Sequence, residues 1–88
     1  LGKAFVRAFK RVNKKRPSLI KDIEDTLTLM IDNPFAAQLE THKLKGNLSG
    51  YWACSVSHDL RIVFEFVKSK SGEDAIFLIE VGTHDEVY

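Results

Sequence analysis

Apolar residues change their spacing once along this chain, near Thr41, and that change restricts the fold more than any other feature. Before it they recur every three or four residues, and after it they alternate. A helix repeats its buried face about every 3.6 residues and a strand about every 2, so the first part reads as helical and the second as sheet.

In the helical part, Phe5, Phe9 and Val12 share one face over Lys3 to Lys15, and basic residues occupy the others. Pro17 ends this element because a helix interior does not tolerate proline. Ser18 is placed to cap a second helix, which runs from Ser18 to Asp32 along Ile20, Ile23, Leu27 and Ile31 until Asn33-Pro34 stops it. After a connecting segment, alternation predicts strands over 42–46, 51–57, 60–67 and 75–82. Gly46 to Gly50, Ser57-His58-Asp59 and Ser69 to Asp74 supply the turns. Two helices followed by an antiparallel meander predict an α+β fold, with both helices on one face of a sheet of about four strands.

The chain has 88 residues, enough for a single domain over 1–88 with a modest core. Its 44% hydrophobic and 28% charged content suits a globular protein rather than a disordered one. The apolar runs around 62–67 and 76–81 are broken by glutamates and too short to cross a bilayer, and no hydrophobic signal core precedes them. A cytoplasmic location without a membrane partner is expected. Cys54 is the sole cysteine, so no internal disulfide forms.

Net charge is only +1, but its distribution is uneven: Lys3, Arg7, Lys10, Arg11, Lys14, Lys15 and Arg16 all precede the first acidic residue. This asymmetry points to an anionic partner. Alternation places Trp52, Cys54 and Val56 toward the core, which makes Cys54 a packing residue. It places Arg61, Val63 and Glu65 on the face away from the helices. Lys43 and Lys45 alternate with Leu44 in the same way, so if their strand neighbours that of Arg61 they could join it there in a cationic surface suited to phosphate. Lysines that only keep an edge strand soluble would give the same pattern.

His42, His58 and His84 fall at strand ends, where an imidazole can titrate near neutral pH. They could in principle share a metal, but no pair has HxxxH spacing and no cysteine pair accompanies them, so the metal-free reading is preferred. Cleavage of RNA through its 2′-hydroxyl needs a proton acceptor, a cation for the phosphorane and an acid for the leaving oxygen. Histidine, arginine, lysine and tyrosine supply these. No Gly-rich phosphate loop, GxSxG elbow or CxxC is present to support another chemistry.

The segments His42-Lys43-Leu44-Lys45-Gly46, Asp59-Leu60-Arg61-Ile62-Val63-Phe64 and Gly82-Thr83-His84-Asp85-Glu86-Val87-Tyr88, in that order, resemble the RelE-type toxins of type II toxin–antitoxin pairs, especially the YafQ-like branch. The resemblance implies a RelE-like fold and an mRNA interferase that cuts mRNA in the ribosomal A site by 2′-hydroxyl attack, with no cofactor. It implies a cognate antitoxin as partner, with which a hetero-oligomer can form. By the same resemblance Arg61 stabilises the phosphate, His84 is the C-terminal catalytic histidine and Tyr88 is the terminal aromatic that orients substrate. His42 and Asp59 take further catalytic-site positions, and Lys43 and Lys45 grip RNA phosphates. The chain departs from the pattern at Ser55, where some members carry a histidine, and in largely lacking the strand that usually precedes the first helix. Two other readings carry different implications. A ParE-like toxin would trap DNA gyrase without an RNA site, and an inert antitoxin-binding relative would not need His84.

Overall fold

Proline and asparagine set the ends of both long helices. In a computed structural model describing residues 2–57 and 59–87, α1 spans Lys3–Lys15 and α2 spans Leu19–Asp32. Ser18 occupies the N-cap position of α2 but makes no side-chain cap bond. Instead, the Leu19 and Ile20 amides donate to the Arg16 and Pro17 carbonyls, so the turn at Pro17 satisfies the first orphan donors. At the other end the Asn33 amide donates to Leu29, while the Asn33 side-chain oxygen accepts from the Phe35 amide at 3.1 Å. This Asx turn explains the stop at Asn33-Pro34.

The buried stripe of α1 is Phe5, Ala8 and Val12, with Phe9 packed beside it. In α2 the stripe is rotated from the expected one: Leu19, Ile23, Thr26 and Met30 are buried, whereas Ile31 is 84% exposed. Thr26 is tolerated inside because its hydroxyl donates to the Asp22 carbonyl at 2.7 Å.

The chain then makes a 3-10 turn at Ala37–Leu39, burying Leu39, and enters a four-stranded antiparallel sheet: β1 (His42–Lys43), β2 (Trp52–Ser57), β3 (Leu60–Lys68) and β4 (Asp74–Thr83), in that order across the sheet. β1 is shorter than expected. Gly46 takes φ +67 and opens a 3-10 turn, so Lys45 lies outside the sheet. One further backbone bond, from the Leu44 amide to Tyr51, closes the β1–β2 connection. A short helix, α3 (His84–Val87), follows β4 and was not anticipated.

Residues directly opposite in an antiparallel pair share a face. Cys54, Ile62 and Val81 are aligned, as are Trp52, Phe64 and Leu78, and both rows pack with the helix stripes into one core. α1 lies over β4, and α2 contacts β2. A bulge opposite Val63 and Phe64 inserts Ile79 as an extra residue, which lets Leu78 and Val81 face the same core despite their odd spacing. The fold is the expected two-helix layer on a four-stranded antiparallel sheet. No helix among the described residues is long and apolar enough to cross a membrane.

Candidate functional site

The sheet face away from the helices gathers residues from all four strands. His42, Ala53, Val63 and Glu80 form one row across it, and Ser55, Arg61 and Gly82 form the next. Ala53, Val63 and Gly82 are buried although they lie outside the main core, so they make a close-packed floor of small or β-branched residues. Arg61, Ser55 and Glu80 are half-buried around it, and His42 is exposed at its edge.

Arg61 is central. Its guanidinium donates to the carbonyl of Leu60 at 3.2 Å, so it leans back toward the start of β3. At that end lie Asp59 in the β2–β3 turn and, across on β4, Thr83 opposite Leu60. α3 begins at His84 and contacts both β3 and β4, so His84, itself exposed, sits at the end toward which Arg61 leans. His42 is on the far edge strand. Three strand spacings, about 14 Å, separate β1 from β4, with Arg61 on β3, next to β4. Asp59 is exposed. Tyr88 and His58 lie outside the described residues.

The structure corrects the expected cationic surface. Lys43 is aligned with Trp52 and therefore faces the helix side, with its ammonium 5.4 Å from the Trp52 ring centroid. Lys45 is exposed in the turn that follows β1. Lys43 does not join Arg61 on the opposite face, because the register with β2 decides which of two alternating positions points which way, and Lys45 lies outside that register. His42 takes that place instead.

One residue without any sequence signal also enters the site. Glu40 adopts a left-handed backbone, φ 50 and ψ 39, and its carboxylate accepts from the Ser55 hydroxyl at 3.2 Å. Its carbonyl lies 3.0 Å from His42 Nδ1.

Cys54, on the core side of β2, donates its S–H toward the Met30 sulfur at 3.7 Å. Burial pushes its thiol up to about 12, outweighing the lowering effects of a backbone hydrogen bond at Ile62 and of the Arg61 charge. A thiol held neutral in this way is packing, not a nucleophile. Among the described residues, no three His, Cys, Asp or Glu side chains come close enough to hold a metal ion.

The whole chain, residues 1–88, matches the family described as bacterial toxin of type II toxin–antitoxin system, YafQ. This protein belongs to the YafQ family. It is a toxin of a type II toxin–antitoxin system. Solved structures share its fold: a mutant of YafQ from E. coli superposes with a TM-score of 0.82 at 19% identity, covering 99% of this chain and 92% of that one. A YoeB/ParE toxin from Agrobacterium tumefaciens gives 0.75 at 22% identity, covering 93% and 92%. The E. coli DinJ-YafQ complex gives 0.79 at 19%, covering 99% and 92%. No match is found among curated proteins. Within the YafQ family frame, the row through Ser55, Arg61 and Gly82 is the candidate site.

Proposed function

We propose that this toxin is an endoribonuclease that cleaves mRNA in the ribosomal A site without a metal, and that its activity is held in check by a cognate antitoxin. The observation that carries the reading is the placement of Arg61, a permanent cation, on a shallow floor of Ala53, Val63 and Gly82. It leans toward the end of the sheet where His84 emerges. That is where a phosphodiester would meet both a charge and an imidazole.

In the proposed reaction the ribose 2′-oxygen attacks the adjacent phosphorus while its proton passes to a base. The bond to the 5′-oxygen breaks, and that oxygen receives a proton from an acid. The products are a 2′,3′-cyclic phosphate and a free 5′-hydroxyl. Arg61 stabilises the phosphorane through a guanidinium that stays protonated and offers two parallel donors. His84 is the proton donor or acceptor, and Tyr88 places the base and scissile phosphate by stacking and hydrogen bonding. His42 and Asp59 assist proton transfer or orientation. Lys43 and Lys45, on other surfaces, contribute to phosphate attraction at a distance.

The DinJ-YafQ complex supports a partner antitoxin for this relative. The acid-free run from Lys3 to Arg16 would suit an acidic segment of such a partner. Ribosome dependence follows from size, because a domain of this length offers little surface to order a flexible message by itself. The test is brief induction without antitoxin, mapping of mRNA 5′ ends, and cleavage of naked and ribosome-bound message by purified protein. New 5′-hydroxyl ends on ribosome-bound message that are lost in His84→Gln are expected. Wild-type cutting by His84→Gln, or growth arrest with no new mRNA ends, would refute the reading. Arrest by gyrase inhibition would point instead to the ParE-like mode.

A further inference from the structure

We propose that the cavity between the end of α1, the start of α2 and the Leu60–Thr83 end of the sheet is a phosphate subsite, which takes a phosphodiester of RNA lying beyond the Arg61 row. The choice of RNA rests on the endoribonuclease reading; the cationic cavity does not.

The cavity has a volume of about 220 Å³. This is below the roughly 300–1,000 Å³ of a site for a drug-sized ligand and suits a compact group. Val12, Leu19 and Leu60, all members of the core, give it apolar surface, and Arg11, Lys15, Arg16 and Thr83 complete the lining. No described acidic residue lines it. Three of the seven cations that precede the first acidic residue therefore converge on one hollow. Charges of one sign beside low-dielectric walls focus their potential, so an anion there is attracted more strongly than at an open surface. Arg11 and Thr83 are engaged in other contacts. Lys15 and Arg16 are exposed and have no carboxylate partner among the described residues, which makes these two the cations that a ligand would meet.

Leu60 and Thr83 are directly opposite each other, one residue before Arg61 and one before His84. The Arg61 guanidinium donates to the Leu60 carbonyl at 3.2 Å. The cavity and the candidate site thus share one end of the sheet, on its two faces, and that neighbourhood favours RNA over an acidic protein segment as the source of the anion. Cations in the last turn of a helix also offset its dipole, which alone would account for Lys14 and Lys15. It would not gather Arg16, beyond the helix, and Arg11, a turn earlier, around one apolar hollow.

The test uses full-length toxin purified from its complex with antitoxin, and two probes. One is a single-stranded 2′-O-methyl RNA oligonucleotide, which lacks the attacking hydroxyl, and the other is ribosomes free of message. Lys15→Gln with Arg16→Gln is compared with Lys3→Gln with Arg7→Gln, which removes the same charge from exposed positions outside the cavity. The first pair should weaken binding at least about tenfold, with little change in denaturation midpoint, and the second pair far less. On the oligonucleotide the slope of log Kd against log salt should fall by about 0.7, as the loss of one phosphate contact requires. Loss on the oligonucleotide assigns the phosphate to message, and loss on ribosomes alone assigns it to ribosomal RNA. Equal weakening by the two pairs, or unchanged binding of both probes, overturns the proposal, and so does weakened binding of the antitoxin alone. Probe binding that depends on Lys15 and Arg16 in a wild type that cuts no message would sustain the subsite and refute the nuclease reading.

Discussion

Cys54 offers a measurement in which the effect can be worked out beforehand. Its side chain is fully buried, and desolvation raises the thiol from 9.0 to about 12. The folded protein therefore keeps the proton over a range where the unfolded chain releases it. The stabilisation is complete below the unfolded value of 9.0 and is lost as pH rises from there toward 12. At about 1.4 kcal/mol per pKa unit, the thiol should remove on the order of 1 kcal/mol of stability between about pH 8 and about pH 10. Urea denaturation of the wild type and Cys54→Ala across this interval isolates the effect, since lysines and tyrosines titrate in both. The stability advantage of the wild type should shrink by about that amount, against a constant packing difference. Near pH 9 the folded thiol should also react with an alkylating reagent about 500-fold more slowly than in urea, from ionisation alone. Parallel stability curves, or equal thiol reactivity folded and unfolded, would show that Cys54 is not held in a dry core.

Other perturbations address the core and the site. Phe64→Ala removes a fully buried ring stacked edge-on with Phe66 and should cost about 3–5 kcal/mol, read as a lower denaturant midpoint. Ile31→Asp should change stability by less than about 0.5 kcal/mol because Ile31 is solvent-facing, while Ile23→Asp should prevent folding. Arg61→Ala should slow ribosome-bound cleavage by about a hundredfold to a thousandfold, and Arg61→Lys should recover little of it, as measured by single-turnover assays. Excess chelator should leave the wild-type rate unchanged, and loss of activity that returns with added metal would contradict the metal-free reaction.

What could be read from residue spacing was local. The two helices and their ends were legible because Pro17 and Asn33-Pro34 act on the backbone within one turn. The buried side of α2 was harder, since Leu19-Ile20 and Met30-Ile31 offer two overlapping stripes a step apart, and only packing against the sheet selects the one through Thr26 and Met30. The same limit applies at the site. Arg61 was assigned to the correct face because Ile62, Phe64 and Phe66 identify the other face unambiguously. Lys43 was not, because His42–Lys43 is too short to reveal its own inside and depends on pairing with Trp52 and Ala53. Glu40 carries no pattern, as its role comes from one dihedral angle and two contacts to residues it does not adjoin. α3, at four residues, is too short for a period to show.

The bulge at Ile79 makes the length of β4 decide which side of the sheet each half of the strand faces. On its Asp74 side the strand is phased so that Ile76 and Leu78 reach the helices, and on its Thr83 side so that Glu80 and Gly82 face Arg61. Deleting one residue here would give a more regular strand, yet it would exchange inside for outside along one half: either Ile76 and Leu78 would leave the core, or Val81 would leave it while Gly82 turned away from the Arg61 face. A substitution at Ile79 would leave both phases in place, whereas the loss of a single codon there would cost either the core packing of Ile76 and Leu78 or the alignment of β4 with the Arg61 row.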